Sequence, residues 1–199
     1  MAKKVKTLKE EIRILGFDDG AFEPRSNAQV FVIGVIYRGG KVLDGALTTT
    51  VTVDGMDSTE KIVKLINQSR HKQQLKVIMF DGITLGGFNV VDIKKIHKQT
   101  RIPVIVINRK HPNLLKVRKA LDNFKDGEKR WKLILRAGKI KECYVQDFQK
   151  VFYQSVGMDD SQTKEVIKLS TTRGYIPEPL RVAHLLATAI VRGESYGRA

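Results

Sequence analysis

The hydrophobic pattern of this chain changes period once, near Asp57, and that change restricts the available folds more than any other feature. Before it come three strand-like segments. The apolar run 12–17 ends in Asp18-Asp19-Gly20, residues 30–37 form a second run, and residues 42–53 alternate, with a β-branched stretch from Thr48 to Thr52. Arg38-Gly39-Gly40-Lys41 is a hairpin signal between the second and third segments. Three consecutive strands with tight turns make an antiparallel meander.

After the change, strands and helices alternate. Asp57-Ser58-Thr59-Glu60 reads as a helix start, with Ile62, Leu65 and Ile66 as its apolar stripe. Residues 77–80 form a short buried strand ending at Asp81-Gly82. A helix is predicted over 89–99, a strand over 104–107 after Pro103, and a helix over 113–121. The stretch 132–145 is ambiguous, with a hairpin around Gly138. Residues 162–169 and 177–192 read as helices, the second with proline near its first turn. Alternating β and α implies parallel strands. The expectation is a single α/β domain over 1–199 whose mixed sheet, meander first and parallel strands after, is flanked by helices. By analogy, that order is the topology of the ribonuclease H-like fold.

Composition narrows the function. With 199 residues, 42% of them hydrophobic, the chain can bury a core without cross-links. Its single cysteine, Cys143, allows no internal disulfide and no cysteine metal cluster, and reads as a partly buried thiol. The net charge of +15, from 36 Lys and Arg against 21 Asp and Glu, favours polyanions and equally fits a basic soluble protein. No apolar run is long enough to span a membrane. The charged N-terminus lacks the apolar core of a secretory signal, so a cytoplasmic location is expected. No G-x-x-x-x-G-K-[ST] is present, which disfavours a P-loop nucleotidase.

The candidate chemistry lies in the carboxylates. Asp18 and Asp19 follow the first strand, Asp57 opens a helix after the third, and Asp81 follows the strand 77–80. Asp-Gly pairs are common in turns, so each one alone also reads as turn chemistry. Strand ends in an α/β sheet gather at one edge, where ligands bind. Carboxylates gathered there repel unless a proton or a divalent cation compensates. Hard oxygen ligands suit Mg²⁺ or Mn²⁺, and such ions can activate water and stabilise the leaving oxygen of a phosphodiester.

Whole segments carry a resemblance. Phe17-Asp18-Asp19-Gly20, Asp81-Gly82-Ile83-Thr84-Leu85-Gly86-Gly87-Phe88-Asn89-Val90-Val91-Asp92, the Ile-Pro-Val-Ile-Val strand at 102–106 and Ile176-Pro177-Glu178-Pro179-Leu180-Arg181-Val182-Ala183-His184 resemble endonuclease V. They resemble still more closely an archaeal endonuclease V-like family known as endonuclease dU. The likeness runs from about 12 to 198. It implies a ribonuclease H-like fold and metal-dependent cleavage of DNA or RNA, DNA more than RNA, near a deaminated base, with Mg²⁺ or Mn²⁺ as cofactor. Carried over by position, Asp18 and Asp81 are the first-strand and later-strand metal ligands. Asp57 stands for a helix-opening glutamate, with Asp54 and Glu60 as competitors. The Pro-Tyr-Ile-Pro wedge of endonuclease V has no counterpart before Asp57, and its histidine after the Asp-Gly motif is absent from 82–88.

The expected catalytic and metal residues are therefore Asp18, Asp57 and Asp81. The expected substrate contacts are Gly86, Gly87, Phe88, Asn89 and Arg181, with the glycines admitting a base and Phe88 or Asn89 stacking on it or reading its edge. Other residues keep two readings. Asp92 is a metal-edge acid or a helix-start acid. Phe88 stacks on a base or packs in the core. Arg181 holds a phosphate or pairs with Glu178. His184 sits in an apolar stretch and reads as a core histidine. Arg109, Lys110, Lys116, Arg118 and Lys119 bind backbone or form a solvated face. Residues 193–199 are a tail or a flap over the site. The alternative function is a non-catalytic nucleic-acid-binding protein on the same fold, which has little reason to keep mutually repelling carboxylates.

Overall fold

A computed structural model of the chain describes residues 10–146 and 149–195. The charged N-terminus through residue 9 and the tail from 196 onward, both considered above, lie outside the described residues. The sheet has seven strands in the order β3-β2-β1-β4-β7-β9-β8. The meander is β1 (Arg13–Asp19), β2 (Gln29–Arg38) and β3 (Val42–Thr52), all antiparallel. After α1 (Ser58–Gln68), β4 (Leu75–Asp81) returns to pair with β1 in parallel. β7 (Val104–Asn108) then pairs in parallel with β4 after α2 (Ile93–Thr100). This is the mixed sheet that the change of period implies.

Alternation along the central strands divides the core. Leu15, Phe17, Ile78 and Phe80 face α1 and α2, packing with Ile62, Ile66, Ile93 and Ile96. Ile14, Met79 and Ile105 face the other way, against Val166 and Ile167 of α5 (Asp160–Ser170) and Leu180 of α6 (Glu178–Arg192). β1 is buried on both faces, as a central strand flanked by helices must be. Phe17 and Phe80 stack across the β1–β4 pair with centroids 5.3 Å apart. α6 crosses β1 so closely that a Cβ on Gly16 would lie 2.6 Å from the Pro179 carbonyl carbon. Glycine at 16 is what lets the start of α6 approach the strand, and that approach carries His184 to the end of β1.

Two sequence expectations change. The helix expected from Asn89 begins at Ile93. Asn89–Val90 is instead the short strand β6, paired with β5 (Thr84–Leu85). Asp92 is the N-cap of α2 and accepts from the Lys95 amide at 3.0 Å, which is the helix-start reading. The ambiguous stretch holds no hairpin at Gly138. It opens with the second half of α4 (Gly127–Arg136), and the antiparallel pair is β8 (Lys141–Gln146) with β9 (Gln149–Val156). Gly138 takes φ +96° just after the helix, the left-handed conformation that glycine adopts at helix ends. α3 (Leu114–Leu121) falls where expected. Cys143 is buried, and burial raises its thiol. Among the described residues, no helix is long and apolar enough to cross a membrane.

Candidate active site

β1, β4 and β7 run parallel, so their C-terminal ends share one edge of the sheet. Phe17 is paired with Phe80, so Asp18 and Asp81 follow at the same level on adjacent strands. Both carboxylates line a cavity of about 640 Å³ with Asp19, Arg109, His184 and Arg192. Asp18 is 6% exposed. Its Oδ1 accepts from the Asp19 amide at 2.9 Å, and its Oδ2 lies 2.8 Å from His184 Nδ1. Asp81 Oδ2 accepts from Arg109 Nη2 at 3.2 Å. Asp19, on the opposite side of the strand, accepts from the Gly86 amide at 2.6 Å.

The electrostatics are those of crowded negative charge. Burial, and then the charge of Asp18, raise Asp81 above the usual carboxylate range, against the pull of Arg109 and His184. The same two causes push Asp19 up to about 7. The hydrogen bond to Asp18 raises His184 despite its partial burial. These shifts fix a pH dependence. Asp19 binds a proton in the fold between about pH 4 and about pH 7, where the unfolded chain has already lost it. Folding stability therefore falls as pH rises through that window. His184 acts in the same direction, because its contribution is present below its unfolded value and is lost as pH rises through its raised folded value. In EDTA, melts should lose on the order of a few kcal/mol of stability from pH 5 to pH 8. Mg²⁺, which favours ionised carboxylates, should restore more at pH 8 than at pH 5. Equal Mg²⁺ effects at both pH values would separate these acids from cation binding.

The donors suit a hard divalent cation. Among the described residues, no three His, Cys, Asp or Glu side chains form a ready-made cage. Two adjacent carboxylates opening on a cavity instead match ions that keep several waters and take one or two protein carboxylates plus substrate phosphate. Buried, mutually repelling acids gain most from such an ion.

Asp57 does not join them, contrary to expectation. Both of its oxygens face protein donors: the Thr52 amide at 3.1 Å, the Thr52 hydroxyl at 2.9 Å, Asn89 Nδ2 at 2.6 Å and Lys61 Nζ at 2.8 Å. Burial pushes Asp57 up, but these donors outweigh it and hold the carboxyl at about 2. Neither competitor reaches the cavity. Asp54 accepts from the amides of Arg25 and Phe88, at 3.1 and 2.8 Å, and Glu60 pairs with Lys95.

Most of the expected substrate contacts are also structural. Asn89 is fully buried; its amide donates to Asp57 and to the Thr52 carbonyl and accepts from the Ser58 amide at 3.1 Å, leaving nothing to read a base. Gly86 and Gly87 take positive φ, but a Cβ on Gly87 would meet Asp54 Oδ1 at 2.3 Å, so the close approach is to protein. Arg181 pairs with Glu178, through Nε at 3.0 Å and Nη2 at 2.7 Å, away from the carboxylate cavity. Phe88 packs on Phe124, centroids 5.4 Å apart, and lines a second cavity of about 530 Å³. Gly82, directly after Asp81, is one of its lining residues. Asn108, Leu114, Ile134 and Gln154 form other parts of its wall.

Two further residues of the carboxylate cavity stand outside the expected catalytic set. His184, whose apolar neighbours suggest a core histidine, faces Asp18 instead. Its signal was helical position, slightly more than one turn beyond Pro179, which touches β1 at Gly16. Arg109 follows the last residue of a parallel strand and so lies on the ligand-binding edge.

Residues 10–191 match the family described as Endonuclease dU. The chain belongs to the endonuclease dU family. A UPF0215 protein of Methanothermobacter thermautotrophicus is 49% identical over 193 residues, covering 96% of this chain and 94% of that one. The crystal structure of a protein of unknown function from Archaeoglobus fulgidus superposes with a TM-score of 0.82 at 36% identity, covering 91% of this chain and 99% of that one. Endonuclease V of Ciona intestinalis, solved with a DNA containing an inosine followed by a ribo-adenosine, superposes at 0.61 with 11% identity, covering 92% and 87%. That last likeness is one of fold. The endonuclease dU chain thus has a ribonuclease H-like architecture, and the Asp18–Asp81 pair stands on two adjacent central strands of that sheet.

Proposed function

We propose that this protein is a Mg²⁺- or Mn²⁺-dependent endonuclease that hydrolyses a phosphodiester, in DNA more than in RNA, at or next to a deaminated base. The observation that carries this reading is the pair Asp18 and Asp81, side by side on neighbouring parallel strands and opening on one cavity. These two acids would hold the cation. When bound, the ion supplies an activated water and charge stabilisation at the leaving 3′ oxygen. Arg109, anchored on Asp81, orients the scissile phosphate. His184, tied to Asp18 through Nδ1, keeps its other ring nitrogen for proton transfer, and the bond to Asp18 raises it above an ordinary histidine. The net charge of +15 supports attraction to the phosphate backbone, and binding should weaken as salt rises.

The second cavity supplies the base selectivity. At about 530 Å³ it has room for an extruded nucleotide, and Gly82, the residue after Asp81, lines it. Its wall is mostly apolar, with Thr84, Asn108 and Lys139 as polar groups able to address a base edge, while the Gln154 amide nitrogen is held by the Gly138 carbonyl at 2.7 Å. This moves base recognition from Asn89 to Asn108 and Thr84 while keeping Gly82 and Phe88 in it. The test is cleavage of oligonucleotides containing uracil, hypoxanthine or no altered base, in Mg²⁺, Mn²⁺ or EDTA. The expected result is metal-dependent cutting that favours an altered base. Cutting undiminished by EDTA, or none with either metal, would refute the proposal.

A further inference from the structure

If a base occupies the cavity lined by Gly82, the duplex is left with a gap in its stack, and a side chain entering there would hold the step open. Other DNA-binding proteins insert apolar side chains between base steps and unstack them. Here one residue is exposed out of proportion to the rest. Leu115 is 85% exposed, whereas the next large hydrophobic among the described residues, Ile190, is 54% exposed. A single exposed leucine is ordinary on a protein surface, so its position has to decide the matter.

Leu115 lies in the first turn of α3, and Leu114 before it lines the base-sized cavity. Pro112, also on the cavity wall, restricts the backbone of the loop leading into α3, and Asn113 caps that helix by accepting from the Lys116 amide at 3.0 Å. The turn that presents Leu115 is therefore held rigid. The same loop leaves β7 at Arg109, which contacts Asp81. A short connection thus joins the cleavage site, the cavity wall and the exposed leucine. Lys110, Lys116 and Lys119 are exposed around it, placed to hold phosphates on either side of an opened step.

We infer that Leu115 is the wedge that enters the base stack next to the nucleotide taken into the cavity. The inference rests on the nuclease reading above, and one substrate separates the two. The probe is a duplex with one deoxyuridine opposite guanine and 2-aminopurine as its 3′ neighbour, alongside the same modified strand free of its complement. In EDTA, wild-type protein should raise 2-aminopurine fluorescence on binding, Leu115→Ala should not, and Leu115→Met should restore it. In Mg²⁺, Leu115→Ala should cut the duplex at least about 10-fold more slowly yet cut the single strand as wild type does, because only the duplex must be opened. Equal loss on both substrates, or an unchanged fluorescence rise with Leu115→Ala, overturns the wedge and leaves the nuclease reading standing. A Leu115-dependent fluorescence rise with no cleavage by any form upholds the wedge and removes the nuclease reading.

Discussion

Asp81→Asn should abolish divalent-dependent cleavage while leaving the fold intact. The amide keeps the shape of the carboxylate and can still meet Arg109, but it removes one of the two charges that would hold the cation. Even partners outside the direct ligand shell of a metal change affinity or activity about 10–100-fold, so loss of a direct ligand should exceed that range. Thermal stability in EDTA should be unchanged or slightly higher, because the repulsion with Asp18 that raises Asp81 disappears. A variant that melts normally and cuts at the wild-type rate, with contaminating nuclease excluded, would remove Asp81 from the site.

Arg130→Ala should be the most damaging change outside the cavity. Arg130 is 4% exposed, yet its guanidinium is fully used. It meets Asp126 through Nε at 2.7 Å and Nη2 at 3.0 Å, and donates to the carbonyls of Gly55 at 2.9 Å, Phe88 at 2.6 Å and Asp54 at 2.8 Å. It also stacks over Phe124, 4.6 Å from the ring centre. One side chain thus pins α4 to the loop after β3 and to the loop carrying Phe88. Asp126 is partly exposed, so the main loss is the donor to three carbonyls; a buried polar group left unpaired costs about 1–3 kcal/mol, which puts the change at about 3–5 kcal/mol. In a chain of this length that is a fall in Tm on the order of 10 °C. Arg130→Lys should rescue little, since an ammonium cannot reproduce the fork. A drop of less than about 2 °C for Arg130→Ala would show these bonds to be individually dispensable.

Much of the architecture was legible because periodicity reports burial directly. The meander, the change at Asp57 and the alternation after it all survive in the sheet order. What failed was local. The glycine-rich segment 86–92 carries apolar residues that suit a helix, but Asn89 pairs back with Leu85 and gives its amide to Asp57, so the helix waits for the cap at Asp92. α4 was missed because its polar first turn, with Glu128, Lys129 and Arg130, shows no apolar stripe before Trp131. Its purpose is carried by Arg130, whose partners are distant in sequence.

The site was half legible for the same reason. Asp18 and Asp81 are fixed by strand ends, and strand ends can be read. Asp57 also follows a strand, β3, but β3 is the sheet edge and lies two places from β1, so its acid meets Thr52, Asn89 and Lys61 rather than the other acids. Helical position and a strand end bring His184 and Arg109 near that edge, but their contacts with the carboxylates come from packing, of α6 on β1 and of the loop after β7 beside β4.

The central claim, that Asp18 and Asp81 form a cation site, is tested most directly by anomalous diffraction from crystals of the protein soaked in Mn²⁺. The account predicts a manganese peak within ligating distance of both carboxylates, lost in Asp81→Asn crystals soaked in the same way. A peak at Asp57 instead, or none at the Asp18–Asp81 cavity in crystals whose cleavage activity depends on Mn²⁺, would contradict it.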